Sequence, residues 1–280
     1  MKFCENCGIE LSEGETVCPG CGYNAENDTE SLNVKTQKSK KNKTLRGILI
    51  AIAGVVIWSC IGEFFGKFIG EIVYENVSDY RQKKDIDEYI EGKEEYVPGY
   101  CDGNEYVSEK FGFQFVINEN WEFYSDEELK VVSETYKDSV ISSVYTSLDG
   151  EDVSQELTDK LMESVYAATE MGALYIADDM YVGEVMVNVM YAYGIENMSA
   201  EDYTETLGNS LNTQVTDAYI AGSTYKVASA AITDIAGNNT TVKMYVIDKD
   251  DILCLITCKV LEGYEELFFN AFEDGISAYK

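Results

Sequence analysis

Four of the eight cysteines lie within the first 21 residues, as Cys4-x2-Cys7-Gly8 and Cys18-x2-Cys21-Gly22 with ten residues between the pairs. Thiols at this spacing can meet on one ion, and four thiolates suit tetrahedral zinc. The glycine after each second cysteine accepts the positive φ that closes such a turn. Redox Cys-x-x-Cys pairs sit in larger βαβ units, which nothing nearby supplies. The spacing therefore predicts a Zn2+ site on Cys4, Cys7, Cys18 and Cys21. A closed four-thiolate site has no open position for water or substrate, so this zinc is structural. A segment so small draws its folding energy from the metal, on the order of 10–16 kcal/mol.

Other chemistries find less support. The chain has no histidine, which excludes Ser-His and Cys-His nucleophiles and histidine metal sites. Ser223-x-x-Lys226 has a spacing used by penicillin-binding proteins, but the accompanying Lys-Thr-Gly is missing. No glycine-rich phosphate loop is present. Paired carboxylates could hydrolyse glycosides, yet with 43 acidic residues beyond position 70 no pair can be singled out. Asp248–Asp251 lacks calcium-loop spacing and reads as a hairpin turn. Cys254 and Cys258 are four apart on a predicted strand, about 13 Å, too far to bridge each other. Free thiols, or a bridge from Cys101 to one of them, both remain open. No catalytic residue is assigned, and the outer domain is read as non-enzymatic.

These residues must be held by larger elements. No charge occurs from 47 to 62, and Leu45–Phe65 makes about 31 Å of helix, the thickness of a bilayer core. A transmembrane helix is expected over 45–66. Lys35, Lys38, Lys40, Lys41, Lys43 and Arg46 precede it, so the N-terminus is expected in the cytoplasm. Reduced thiolates belong on the same side. Gly62, Gly66 and Gly70 recur every four residues, a spacing that lets two membrane helices approach and form a homodimer. The organisation expected is a zinc ribbon at 1–24, a basic flexible linker at 25–44, the span at 45–66, a helical stalk at 67–98 and an extracytoplasmic domain at 99–280.

Charge separates along the same lines. Residues 35–46 carry +6, whereas 71–280 carry −30, equal to the net charge of the whole chain. So acidic an outer domain excludes nucleic acid as partner. Within it, "KFGFQFVI" alternates as a half-buried strand does, and Ser125-x-x-Glu128 is a capping box opening a helix to about 137. Further helices are expected near 153–170, from Ser199, and from Glu262, the last with Leu267, Phe268, Ala271, Phe272 and Ile276 on one stripe. Strands are expected near 173–178, 183–193, 223–234, 240–247 and 251–260. This order implies an α+β fold, an antiparallel sheet covered by helices.

Phe111-Gly112-Phe113, Trp121 and Ser125–Glu128 together resemble the signature of Mog1/PsbP-like exported domains. The proline common in the intervening turn is replaced by Asn118-Glu119-Asn120. The resemblance implies an α/β/α sandwich with an accessory or binding role. Residues 3–23 resemble the short N-terminal zinc ribbons of bacterial membrane proteins. The whole plan is similar to teicoplanin-resistance-associated membrane proteins. The expected function is a single-pass cell-envelope protein whose outer domain binds or scaffolds an unidentified protein or envelope ligand. The alternatives are transmembrane relay, with the ribbon docking a cytoplasmic partner, and a carboxylate-based wall hydrolase.

The cysteine spacing makes a direct prediction. The purified protein should carry one zinc per chain, measured by elemental analysis. Cys7→Ser or Cys18→Ser should abolish it; full occupancy in either variant contradicts the four-thiolate site.

Overall fold

The computed structural model describes residues 2–3, 10–11, 79–93, 95–148, 154–193, 198–233 and 237–280. The chain divides into two units, Met1–Lys43 and Thr44–Lys280. In the first, strands β1 (Lys2–Phe3) and β2 (Glu10–Leu11) pair antiparallel. Cys4, Cys7, Cys18 and Cys21, the expected linker, the expected span at 45–66, and Gly62, Gly66 and Gly70 lie outside the described residues. Among the described residues no helix is long and apolar enough to cross a membrane.

The second unit is built on two antiparallel sheets. The larger has seven strands in the order β6-β7-β8-β12-β11-β10-β9. They are β6 (Trp121–Phe123), β7 (Tyr166–Ala177), β8 (Met180–Tyr191), β9 (Val215–Ile220), β10 (Ser223–Thr233), β11 (Asn239–Lys249) and β12 (Ile252–Leu261). Tight hairpins join them at Asp178-Asp179, Ala221-Gly222 and Asp250-Asp251, where both central residues have positive φ. That geometry matches the twist of the flanking strands, and Asp and Gly tolerate it. The smaller sheet, ordered β13-β5-β4-β3, contains β3 (Tyr100–Asp102), β4 (Glu105–Ser108), β5 (Phe113–Val116) and β13 (Ile276–Ala278).

Both faces of the seven-stranded sheet are covered. On one, Val132, Tyr136 and Val140 of α2 (Asp126–Leu148), Leu157 and Leu161 of α3 (Gln155–Ser164), and Tyr203 and Leu207 of α4 (Ala200–Leu211) pack on Met186, Met190, Met244 and Leu255. On the other, Phe113 and Phe115 of the small sheet join Phe268 and Phe272 of α5 (Glu265–Gly275) over Val185, Val187, Tyr245 and Ile256. The α+β class therefore holds, but the expected helical cover exists on one face; a second sheet with one helix covers the other. Ser125 and Ser199 cap their helices as the capping boxes predict, with Glu128 Oε2 and Asp202 Oδ2 accepting from the cap N–H groups.

Several expectations change. The helix opened by Ser125 runs to Leu148 instead of ending near 137, and Ile276, expected on the last helix, begins β13. The helix expected over 153–170 ends at Ser164, and Tyr166 begins β7, because pairing with β8 from Tyr191 onward overrides the helical propensity of Ala167, Ala168 and Glu170. Leu267 is exposed, while its neighbour Phe268 is fully buried. Of the expected stalk, residues 79–92 form a helix, α1 (Asp79–Gly92), which packs on α3 rather than standing alone. Ile86 is completely buried in the helix-side core, and Lys160 of α3 pairs with Asp87.

One charged pair sits inside this frame. Register places Glu184 of β8 opposite Lys259 of β12, both buried. Burial raises the Glu184 carboxyl from 4.5 to about 7, and Lys259 offsets only part of that. A raised carboxyl favours the protonated folded state, so this contribution to stability is complete below the ordinary carboxylate range and is lost as pH rises through about 7. Thermal unfolding of the full-length protein should therefore lose stability over this range, by up to about 1.4 kcal/mol per pH unit. Glu184→Gln should flatten the slope, whatever it does to absolute stability; an unchanged slope would assign the titration elsewhere.

Candidate functional site

The site begins with an irregularity in β7. Its pairing with β8 shifts register between Thr169 and Met171, so Glu170 is the extra residue of a β-bulge. Thr169 faces Asn188 and donates to its Oδ1 at 2.8 Å. Glu170 and Met171 are both left on the small-sheet side, where Glu170 is 8% exposed. Its Oε2 accepts from the Gly99 N–H and from the Tyr106 hydroxyl, each at 2.9 Å. Its Oε1 and the neighbouring Tyr96 Oη are buried without a well-formed hydrogen bond. Burial raises the Glu170 carboxyl; the nearby Tyr96 hydroxyl, the Gly99 amide and the Tyr106 hydroxyl pull it partly back.

Gly99 belongs to the strap at 95–99, which joins α1 to β3 without regular structure. A Cβ at Gly99 would collide with the Tyr106 ring and hydroxyl, so this close approach needs glycine. An aromatic cluster seats the same segment. Tyr166 and Tyr191 stack at 4.9 Å, and Tyr96 meets both edge-on at 5.4 and 6.4 Å. Lys93 donates to Tyr89 Oη at 3.1 Å and lies 4.5 Å over the Tyr191 ring. Such cation–π contacts stabilise by roughly 0.5–2 kcal/mol.

Outside the strap lies a cleft of about 750 Å³, within the size range of small-ligand sites. Lys93, Glu95, Tyr96, Val97, Pro98 and Tyr100 form one wall. The opposite wall comes from the β4–β5 turn, through Glu109 and Lys110, and from the β11–β12 turn, from Lys249 to Ile252. Lys110 and Asp250 join these turns with a 2.6 Å ion pair, which holds the Asp250 carboxyl below its ordinary range. Three lysines and four carboxylates thus line one opening beside two tyrosines.

The residues singled out in the sequence fall elsewhere. Cys4, Cys7, Cys18, Cys21, Gly62, Gly66 and Gly70 are outside the described residues. Cys101, Cys254 and Cys258 are all free thiols; Cys101 is exposed and the other two are buried, so no bridge joins them. Lys226 is held by Glu201 at 3.2 Å and Asp217 at 3.1 Å, which keeps its ammonium charged and unable to act as a base for Ser223. Asp248 accepts from the Ala200 N–H at 2.9 Å and anchors the start of α4. Among the described residues no three His, Cys, Asp or Glu side chains gather as a metal site. Sequence reasoning missed Glu170 because it placed that residue at the end of a helix; Pro98-Gly99 was the available signal of a break.

No protein-family profile matches the sequence, and no curated protein does. Among the solved structures that overlap it distantly are the following three. LpqN, involved in cell envelope biogenesis of Mycobacterium tuberculosis, is 10% identical over 70% of this chain and 97% of its own, with a TM-score of 0.35. Cyanobacterial PsbP (CyanoP) from Synechocystis is 11% identical over 65% of this chain and 98% of its own, with a TM-score of 0.32. A structure from Bacteroides thetaiotaomicron is 11% identical over 64% of this chain, which spans half of that structure's length, with a TM-score of 0.34. Overlaps this slight carry no function across.

Gly99→Ala should force the strap off Tyr106 and destabilise the protein by about 1–3 kcal/mol, as overpacking does. Urea unfolding checks this. A neutral result would mean that the strap can move away at no cost.

Proposed function

We propose that this chain is a membrane-tethered binding protein of the cell envelope, without catalytic activity, whose ligand enters the cleft beside the 95–99 strap. The reading is carried by that cleft: a cavity of about 750 Å³ with both signs of charge and exposed tyrosine on its walls. Mixed charge favours a ligand that bears both amino and carboxylate groups, such as a short extended peptide. Complementary charges select the partner and set its orientation. The uncharged run at 47–62 supports a single span over 45–66, with the lysine-rich segment before it and the zinc ribbon inside, and the acidic domain outside.

One observation also favours transmembrane relay. The strap lining the cleft continues directly from α1, the helix that follows the proposed span in the chain. A change at the cleft would therefore bear first on α1, the described element nearest the proposed span in the chain. A pulldown with the zinc-loaded full-length protein that recovers a cytoplasmic partner through the ribbon would support this branch.

Two measurements test the main reading. In wall-stripped cells, an impermeant amine reagent should label Lys249 at once and Lys35–Lys43 only after lysis; the opposite pattern reverses the topology. Crosslinking of the intact protein in membranes should capture a peptide-bearing envelope component, and Lys249→Glu with Glu95→Lys should cut capture several-fold. Undiminished capture removes the cleft as the site. Turnover of wall fragments that one carboxylate change abolishes would establish the hydrolase instead.

A further inference from the structure

We infer that Glu170 is the positioning residue of the cleft: its buried carboxyl group latches the 95–99 strap to the body of the domain, and the state of that latch sets the shape of the wall a ligand meets. The consequence for binding rests on the cleft reading above; the latch itself does not.

The geometry isolates one connection. The wall formed by Glu95, Tyr96, Val97 and Pro98 belongs to no helix or strand, so it has no hydrogen-bond ladder to hold it. Val97 is 76% exposed and faces away from the core. Among the described residues, the hydrogen bond tying the 95–99 backbone to the domain runs from Gly99 N–H to Glu170. That carboxylate reaches the strap because the bulge turns it toward the small sheet; without the extra residue, alternation would place it differently. Tyr106, fully buried on β4, donates to the same oxygen and fixes the carboxylate in place. The absence of a Cβ at Gly99 lets the strap come close enough to be held.

The groups facing Glu170 are Tyr96 from the strap, Tyr106 from β4, Tyr166 from β7 and Cys254 from β12. Burial raises all four hydroxyls and thiols above their ordinary values, so they stay neutral at physiological pH. Glu170 is then the member of this cluster that titrates. The Tyr96 hydroxyl, the Gly99 amide and the Tyr106 hydroxyl all favour the ionised form, and burial opposes and outweighs them. The net shift is upward, and opening the strap admits water to the carboxyl, so closure is most favourable below the ordinary carboxylate range and weakens as pH rises through the raised value.

The test is amide hydrogen exchange in the full-length protein in detergent micelles, across a pH series and corrected for intrinsic exchange. Peptides covering 95–101 report the strap, and peptides covering 200–211 report the body of the domain. In the parent protein, strap exchange should accelerate as pH rises above the ordinary carboxylate range, by at most about tenfold per pH unit, while the body stays protected. Glu170→Gln keeps an acceptor for Gly99 and Tyr106 but cannot ionise. It should exchange at the parent's acid rate at every pH. Glu170→Ala should exchange rapidly at every pH, with 200–211 confirming that the domain remains folded. Strap protection that is independent of pH in the parent, or unchanged in Glu170→Gln and Glu170→Ala alike, overturns the latch. The same proteins are then titrated with a pentapeptide containing lysine and glutamate. Binding that follows strap protection supports both readings; strap protection that behaves as expected without any effect on peptide binding leaves the latch standing and removes the cleft as the peptide site.

Discussion

The fold rests on a seven-stranded antiparallel sheet that is buried on both faces. Antiparallel sheets often leave one face in water and alternate accordingly. Here β12 is buried from Ile252 through Val260, with no face open to solvent along that run. Its odd-numbered side chains, such as Leu253 and Leu255, meet helices, while Cys254 and Ile256 meet the small sheet and α5. Two cores, one on each side, follow from that single constraint. So does the chemistry of the interior: any polar group on the central strands is taken out of water and must find a partner or lose its charge.

The few polar residues that remain there show how the constraint is met. Thr169 donates to Asn188 Oδ1 across β7 and β8, which satisfies the acceptor of that amide but not its buried Nδ2. Glu184 sits opposite Lys259, yet burial still drives its carboxyl toward neutrality. Glu170 meets the same problem through a bulge. The extra residue diverts its side chain from the sheet plane's ordinary alternation and brings it to a backbone N–H and a tyrosine hydroxyl. Buried carboxylates of this kind cost stability when left unpaired, which is why their environments are so specific.

The cleft is a by-product of the same architecture. The two sheets meet where the β11–β12 hairpin, the β4–β5 turn and the strap converge, and the Lys110–Asp250 pair fastens two of these three segments. Exposed turns supply its charges, while the sheets behind them supply rigidity. The proposed role as a binding site thus falls on loops held by a stiff scaffold, where recognition residues usually lie. Helix α1, packed through Ile86, ties the strap's other end to the domain.

Several features were legible from local sequence because local physics decides them. The Ser125 and Ser199 caps depend on residues three apart. The Asp250-Asp251 turn depends on two residues tolerant of positive φ. The apolar strand runs and the buried Phe113, Phe115, Trp121, Ile252 and Phe268 follow from hydrophobic pattern alone. The cysteine spacing and the uncharged run define their expectations in the same way, by chemistry written into neighbouring residues. Other features depended on residues distant in the chain. Tyr166–Glu170 has helical propensity, and only pairing with β8 makes it strand. The small sheet needs β13, from the chain's last residues, beside β5, more than 150 positions earlier. Glu170 became a candidate only when the bulge brought it to Gly99, 71 residues away. Local sequence fixes propensity, caps and turns because their energies come from adjacent groups; the register of long-range pairing decides which side chain enters the core, which meets the strap, and where a cleft opens between them.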